Sequence, residues 1–317
     1  MRTVSRPFEV WRRSEALAEV IAEALDTVGM EADDEVAVTM TAELSDAFAS
    51  KREGVQFVLD ATEAALAGRS PAVLTSAGEL VSAREAREHP LAVAAANWVA
   101  TALEVGVDRP DALVIDVGST TADIIPLAGG HINVAGRTDL DRLLAGELVY
   151  TGILRTNLAT IARRVPVRGG WCPVASELFA VTADVHLILG HIAPAEYVFD
   201  APDGRGATVE LARRRVARLV CADLEQLSDE EVDRIAAHLH AEQLCQLEQA
   251  ARGAGARCPA GAPVVAVGAG AFLAREVASR IERPVADVPE RWGPAGARLG
   301  PATALAGVLA RRAGVAW

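Results

Sequence analysis

Residues 113–134 contain the pattern that most restricts the fold of this chain. Three apolar runs typical of β-strands, at 113–117, 122–127 and 131–134, are separated only by the short turn sequences GSTT and AGG. Strands joined by turns this short pair with each other in antiparallel fashion. The first run is apolar except for Asp116, which is typical of a buried strand. These residues therefore predict an antiparallel meander that begins an α/β unit.

The rest of the chain alternates between helical and strand-like patterns. Helical periodicity occurs at residues 9–28, 55–66, 90–105, 182–190, 209–225, 228–251, 271–281 and 302–312, and strand-like runs occur at 35–41, 72–76 and 263–267. Strands separated by helices predict a mostly parallel sheet that is covered on both faces. Residues 139–170 have no clear pattern. We expect an N-terminal α/β domain at 1–110 and a second α/β domain at 111–317.

Composition excludes several classes of protein. Apolar residues make up 51% of the 317 residues and charged residues 23%, which is typical of a globular rather than a disordered chain. The formal net charge of -12 argues against a general nucleic-acid binder, because phosphate neutralisation requires a basic surface. No apolar run is long enough to span a bilayer, and the N-terminal residues lack the apolar core of a signal peptide. We expect a cytoplasmic protein without membrane or nucleic-acid partners.

The turn between the first two strands of the meander has the residues expected of a phosphate site. A glycine and three hydroxyl residues lie between two carboxylates: Asp116, Gly118, Ser119, Thr120, Thr121 and Asp123. Glycine lets the backbone approach an anion closely, and the N–H groups and hydroxyls of a tight turn suit a phosphate or diphosphate. The two carboxylates are placed to hold Mg²⁺ directly or through water. The alternative is a polar β-turn whose hydroxyls bond to their own backbone.

A second glycine turn follows the strand-like run at 263–267. Gly268 and Gly270 lie between this run and the helical pattern at 271–281. A helix N-terminus attracts phosphates, and small residues let an anion or nucleotide sit close. Leu273 occupies the position of the third glycine of the dinucleotide fingerprint, so a Rossmann NAD site is not expected. Close packing of strand against helix is an equally good reason for these glycines.

Together, the two turns resemble the phosphate and adenosine motifs of the actin-like ATPase superfamily. Over nearly the whole chain, the sequence resembles the tetrahydromethanopterin-linked C1-transfer branch of the hydantoinase/oxoprolinase group. The segments that carry this resemblance are VTMTAELSD at 38–46, SKREGV at 50–55, the Asp116 hairpin, VYTG at 149–152 with RT at 155–156, and TADVHLILG at 182–190. The resemblance implies an actin-like (ribonuclease H-like) two-domain α/β fold.

The resemblance also implies an activity. Members of this branch are implied to join a furan-methyl diphosphate to the phenol oxygen of a γ-glutamyl tyramine or tyrosine compound, with release of diphosphate, in the biosynthesis of methanofuran. The alternatives are an ATP-dependent kinase or a hydantoinase- or oxoprolinase-like hydrolase of the same superfamily, and a scaffold that binds phosphate without turnover. We expect small-molecule substrates and Mg²⁺, regard ATP as doubtful, and leave self-association open.

The reaction assigns hypothetical roles to further residues. Release of diphosphate requires preorganised donors and cations, for which Lys51, Arg137 and Arg155 are candidates beside the turn. The phenol must lose its proton, for which His186 and Glu43 are candidate bases. Each has a simpler explanation. His186 lies in an apolar helical pattern typical of a core histidine, Glu43 could cap a segment, and Lys51 is the only lysine in an arginine-rich chain.

One departure from the family pattern concerns the N-terminus. The resemblance implies that full-length relatives begin with a strand–glycine–strand hairpin that corresponds, in the first domain, to the Asp116 hairpin of the second. This chain starts with MRTVSRPFEVWRR instead. We therefore expect the first phosphate loop to be missing and the sheet of the first domain to have an exposed edge or a gap. A diphosphate site built mainly on the second domain is then favoured over an ATP site that needs both loops.

Overall fold

A computed structural model describes residues 2–315 as an α/β protein with a mixed sheet. The helices are α1 (Val10–Arg13), α2 (Leu17–Val28), α3 (Lys51–Ala65), α4 (Ala83–Glu88), α5 (Pro90–Val93), α6 (Asn97–Asp108), α7 (Asp139–Leu144), α8 (Thr182–Ile188), α9 (Val209–Arg218), α10 (Asp229–Gly255), α11 (Ala271–Arg280), α12 (Gly293–Arg298) and α13 (Gly300–Arg312). The strands are β1 (Ala37–Val38), β2 (Ala72–Leu74), β3 (Leu80–Ser82), β4 (Ala112–Val117), β5 (Ala122–Ala128), β6 (His131–Ile132), β7 (Leu148–Val149), β8 (Arg164–Val167), β9 (Gly170–Pro173), β10 (Val264–Val267) and β11 (Val285–Ala286). Within the described range, no helix is both long and apolar enough to cross a membrane.

The larger sheet confirms the predicted meander. Its strand order is β11-β10-β4-β5-β6, and β7 also pairs with β5. Strands β4, β5 and β6 pair antiparallel, whereas β10 pairs parallel with β4 and β11. The register of the β4–β5 pair places Asp116 opposite Asp123. Their side chains therefore leave the sheet on the same face, next to the turn at residues 118–121, which we call the phosphate turn.

The smaller sheet differs from its prediction. Its order is β1-β2-β3, with β1 and β2 parallel but β2 and β3 antiparallel. The prediction of a mostly parallel sheet missed β3, because Gly78, at a φ of 90°, reverses the chain in a tight turn after β2. This turn is closed by a hydrogen bond from the Gly78 N–H to the Thr75 carbonyl. Among the described residues, β1 pairs only with β2 and is therefore an edge strand of this sheet. The absence of a first phosphate loop stays a prediction.

Three predicted helices are divided or end early, and the one predicted at 9–28 consists of α1, a 3-10 turn at Ser14–Ala16 and α2. The single helix predicted at 90–105 is divided into α5 and α6, and Ala95, between them, has a φ of 48°. The alanine run carries no local break signal, but the break turns Ala95 and the start of α6 toward a cavity described below. The helix predicted at 209–225 ends at Arg218, and Cys221 has a φ of 55°. After both α5 and α9, a residue in the left-handed region follows within three residues of the last helical residue.

The segment without a clear pattern, 139–170, contains short elements. It holds α7, β7 and β8, and β8 pairs with β9 as a separate two-stranded sheet. Arg168 and Gly169 connect β8 to β9 with φ angles of 49° and 77°. Two consecutive left-handed residues form the turn that best matches the twist of a hairpin.

The larger sheet is packed on both faces. Ile115 and Ile124 face a cluster that includes residues of α8, α10 and α11. Val114 and Ile125 face a second cluster, built with α6 and α13, which also includes Leu74 from the smaller sheet. Each fully buried aliphatic side chain contributes about 1.5–3 kcal/mol of transfer free energy. The second cluster joins residues from both sides of position 110, where we predict the domain boundary, and that boundary stays a prediction.

Candidate functional site

A cavity of about 490 Å³ lies at the turn that connects β4 to β5. The N-terminal segment and the residues after β1 form one wall, and the phosphate turn and residues 139–155 form the other. The residues on which the following argument depends are Phe8, Trp11, Glu43, Asn97, Trp98, Gly118, Ser119, Thr120, Thr121, Asp123, Asp139, Arg142, Tyr150 and Arg155. The cavity therefore combines charged and hydroxyl groups with several aromatic rings.

Carbonyl groups of the phosphate turn are hydrogen-bonded to the protein, whereas three of its N–H groups have no protein acceptor among the described residues. The Gly118 N–H donates to the Thr121 carbonyl at 2.9 Å and closes the turn. The Ser119 carbonyl accepts from the N–H groups of Leu154 and Arg155. Within residues 2–315, the N–H groups of Ser119, Thr120 and Thr121 donate to no protein acceptor. Successive unpaired N–H groups in a turn form a binding site for an anion.

The two carboxylates beside the turn have different partners. Asp123 accepts from the Nη1 of Arg142 at 2.6 Å. Among the described residues, Asp116 has no cationic partner and accepts only from the Thr101 hydroxyl, at 3.4 Å. Burial, and after it the Asp123 charge, raise the pKa of Asp116 to about 7 against the opposing effect of the Thr101 hydrogen bond.

Arg142 is the residue of the site that the sequence analysis missed. It is 1% exposed and its guanidinium lies 4.1 Å from the centre of the Trp98 ring. Its Nη2 donates to the Glu147 carbonyl, and its buried Nε has no acceptor within the described part of the chain. The N-cap of α7 was a usable signal, because the Thr138 hydroxyl accepts from the Asp141 N–H. Recognising α7 would have placed Arg142 on a helix.

Glu43 is a buried acid in the cavity wall. It is 1% exposed, and its Oε2 has no hydrogen-bond partner among the described residues. Burial raises the pKa of Glu43, the Lys51 charge lowers it, and the Asp139 charge raises it. Lys51 donates to Asp139 at 2.6 Å and does not line the cavity itself. Lys51 therefore belongs to the site through Asp139.

Of the remaining predicted cations and glycines, only Arg155 lines the cavity. Arg155 lines the cavity and stacks on Trp11, with 4.3 Å between its guanidinium carbon and the ring centre. Arg137 donates instead to the Ser76 carbonyl and does not line the cavity. Gly268 and Gly270 also lie outside it. A Cβ on Gly270 would lie 2.6 Å from the side chains of Ile153 and Val117, so close packing explains this turn.

His186 lies outside the cavity as well. It is completely buried on α8, and burial lowers the pKa of His186 to about 3, with the charges of His240 and His191 contributing. Of the two candidate bases, only Glu43 lines the cavity. The geometry therefore favours the interpretation of His186 as a core histidine with respect to this site.

Replacement of Asp116 by asparagine should stabilise the protein above neutral pH. The raised pKa means that the folded protein binds this proton more tightly than the unfolded chain, so stability falls as the pH rises from about 4 to about 7. A shift of about three pKa units corresponds to about 4 kcal/mol, which Asp116→Asn would remove from the pH dependence. Urea unfolding of the variant and the wild type at pH 5 and pH 8 measures this change in the free energy of unfolding. The exposed Asp33→Asn variant serves as control. If the stability difference between Asp116→Asn and the wild type does not grow from pH 5 to pH 8, the pKa of Asp116 is not raised.

Comparisons with known proteins agree with these features. The family model described as hydantoinase/oxoprolinase matches residues 34–312. The (4-{4-[2-(gamma-L-glutamylamino)ethyl]phenoxymethyl}furan-2-yl)methanamine synthase of Methanocaldococcus jannaschii is 39% identical over 227 residues, which cover 71% of this chain and 66% of that protein. The protein of the same name from Methanococcus vannielii is 39% identical over 124 residues, which cover 39% of this chain and 55% of that protein. The matches span less than two thirds of each relative.

A solved structure shares the fold. Nucleotide-free acetone carboxylase aligns with 93% of this chain and 45% of its own, at a TM-score of 0.52 and 14% sequence identity. At this identity the likeness concerns the fold alone. The family match covers most of the chain, and both curated relatives carry the name of a methanofuran-type synthase. The chain therefore belongs to the hydantoinase/oxoprolinase family of enzymes.

Proposed function

We propose that this chain is a transferase of methanofuran-type C1-carrier biosynthesis. It joins a furan-methyl diphosphate to the phenol oxygen of a γ-glutamyl tyramine or tyrosine compound and releases diphosphate. The observation that carries the proposal is one cavity in which an anion-binding turn and two arginines face aromatic walls. The names of the curated relatives support the same assignment. For the larger sheet, the meander followed by two parallel strands supports the ribonuclease H-like class.

The polar end of the cavity suits the leaving diphosphate. Three unpaired N–H groups of the turn and the guanidinium groups of Arg142 and Arg155 are positioned where negative charge develops. Preorganised donors of this kind stabilise a transition state because they need no reorientation during the reaction. Asp123 lines the cavity, and the buried Asp116 lies opposite it on β4 without lining the cavity itself. Together the two acids would fit Mg²⁺, which binds through one or two carboxylates plus phosphate oxygens. Bound there, Mg²⁺ would neutralise diphosphate charge.

The aromatic residues of the cavity suit the two rings of the substrates. Phe8, Trp11 and Tyr150 line the cavity with Leu44, whereas Trp98, which also lines it, is 1% exposed and lies against the Arg142 guanidinium. Planar apolar walls position furan and phenol rings by stacking and exclude water from the reacting carbon. In the reaction, the phenol oxygen forms a bond to the furfuryl carbon, and the bond from that carbon to the diphosphate oxygen breaks with its electron pair.

Glu43 accepts the phenol proton in this proposal. Its buried carboxylate in the cavity wall, with a pKa above the usual range, suits a general base near neutral pH. The variant Glu43→Gln should lower kcat by about 100- to 10,000-fold, because general-base catalysis typically contributes that much. Its KM should change little. The exposed Glu225→Gln variant should keep the wild-type rate; equal kcat in both variants would exclude Glu43 as the base.

One incubation tests the activity itself. The chain is incubated with Mg²⁺, the furan-methyl diphosphate and γ-glutamyl tyramine, and mass spectrometry and a diphosphate assay follow the products. We expect an ether whose mass is that of the two substrates less diphosphoric acid, and one diphosphate per ether, both lost in the variant Thr120→Ala with Asp116→Asn. ADP formation from ATP without ether formation would favour the kinase or hydrolase alternative. If neither the ether nor ADP forms, the scaffold alternative is favoured.

A further inference from the structure

Three histidines meet outside the cavity. His186 on α8, His191 just after it and His240 on α10 each bring one ring nitrogen within 4.8 Å of the other two. Within residues 2–315, this is the one group of three or more histidine, cysteine or acidic side chains with such spacing. We propose that this histidine triad binds a divalent transition-metal ion, with Zn²⁺ as the preferred ion.

The nitrogen positions fit a tetrahedral metal ion. The Nδ1 atoms of His186 and His191 are 3.2 Å apart and share a hydrogen bond, which a metal ion bound to both would replace. Two nitrogens bound to Zn²⁺ at about 2.0–2.1 Å in a tetrahedron are separated by about 3.3 Å. The other separations, at most 4.8 Å, exceed this value by no more than about 1.5 Å. Rotation of the partly exposed His191 and His240 rings can close that gap.

One nitrogen of the triad is buried and unpaired. The Nδ1 of His240 is inaccessible to solvent and has no hydrogen-bond partner in the described part of the chain. His186 itself is completely buried. Buried polar atoms are normally satisfied, and each exception in a folded protein needs an explanation. A metal ion bound by His240 Nδ1 would supply the missing partner there.

The surroundings of the triad are those of a metal site. The Nε2 of His240 lies 3.4 Å from the Oε2 of Glu276, which leaves Nδ1 as the ligand. A carboxylate on the outer nitrogen fixes the tautomer and orientation of a metal-bound imidazole. The Phe272 ring lies 5.2 Å from the His186 ring and 5.0 Å from the His191 ring, between centres, and restricts solvent access.

The donor set also determines the kind of ion. Imidazole ligands select zinc, copper, iron or nickel, whereas Mg²⁺ and Ca²⁺ require oxygen ligands. This site is therefore chemically distinct from the Asp116–Asp123 pair. Three nitrogens leave a fourth position, which we assign to water because the triad does not line the cavity.

The histidine triad is connected to the phosphate turn through α10. Gln243, three residues after His240, donates to the Thr151 hydroxyl and to the Gly152 carbonyl, both at 2.9 Å. Gly152 packs directly against the backbone of Ser119 and Thr120. A metal ion that ties α8 to α10 would thereby hold the support of the turn in place.

Metal titration of the tag-free full chain tests the proposal. After chelator treatment, we expect about one Co²⁺ per chain, with the visible absorption of tetrahedral nitrogen coordination, displacement by Zn²⁺, and a raised Tm. His191→Gln and His240→Gln, which change partly exposed rings in two separate segments, should each weaken binding by at least about 100-fold. Glu276→Gln should weaken it by about 10- to 100-fold.

A matched control lies on the same helix. His238 contacts Trp171 rather than the triad, so His238→Gln should bind Co²⁺ as the wild type does. Binding of less than about 0.1 Co²⁺ per chain, or wild-type affinity in both triad variants, would overturn the proposal. None of these measurements uses a substrate, so they remain decisive whether or not the transferase activity is found.

Discussion

The variant Arg142→Ala should lose about 3–5 kcal/mol of stability, because removing one member of a buried ion pair leaves the other charge unpaired. The unpaired group would be Asp123, whose carboxylate lies beside the buried Asp116. The variant also removes the stacking of the guanidinium on Trp98. Because Arg142 lines the diphosphate end of the cavity, activity should fall by at least about 100-fold. Urea unfolding and the ether-forming assay measure the two effects.

Two further variants separate the causes. Arg142→Ala combined with Asp123→Asn removes both charges and should regain part of the stability without regaining activity. Arg214 forms an ion pair with Glu210 on the surface, so Arg214→Ala should cost no more than about 1 kcal/mol. If Arg142→Ala and Arg214→Ala cost the same, the ion pair with Asp123 does not stabilise the site as described.

The variant Gly152→Ala should inactivate the protein by displacing the phosphate turn. A Cβ at position 152 would lie 2.5 Å from the Ser119 carbonyl carbon and from the Thr120 nitrogen. These are backbone atoms of the turn, so the turn itself must move. Overpacking of this kind costs about 1–3 kcal/mol of stability. A displacement of about 1 Å in a positioning element can lower the rate by about 100-fold. Kinetics of ether formation and urea unfolding measure these changes.

Gly253 on α10 offers the matched glycine. Nothing lies within 4 Å of a Cβ built there, and the residue is exposed. Gly253→Ala should therefore raise the free energy of unfolding by about 0.5–1 kcal/mol, because alanine has the higher helix propensity. Its activity should equal that of the wild type. Full activity in Gly152→Ala would mean that the turn does not have to keep its position for catalysis.

Much of the site could be predicted because its components are neighbours in sequence. The meander and its turn lie within residues 112–132, and the turn lines the cavity as expected. Glu43 and Arg155 also reach this cavity. Arg142 was missed because its role depends on an ion pair between α7 and Asp123 of β5 and on burial against Trp98. The division of the helix predicted at 90–105 was missed for a similar reason, since an alanine run has no local break signal.

The sequence by itself determined the hairpin, the helix α10 and the family. These features depend on periodicity and on hydrogen bonds between residues a few positions apart, which a linear pattern records. Only the tertiary structure decided that Gly268 and Gly270 serve close packing, that Glu43 rather than His186 faces the cavity, and that His186 meets His191 and His240. Those outcomes depend on desolvation and on contacts between distant segments, and folding alone brings these together.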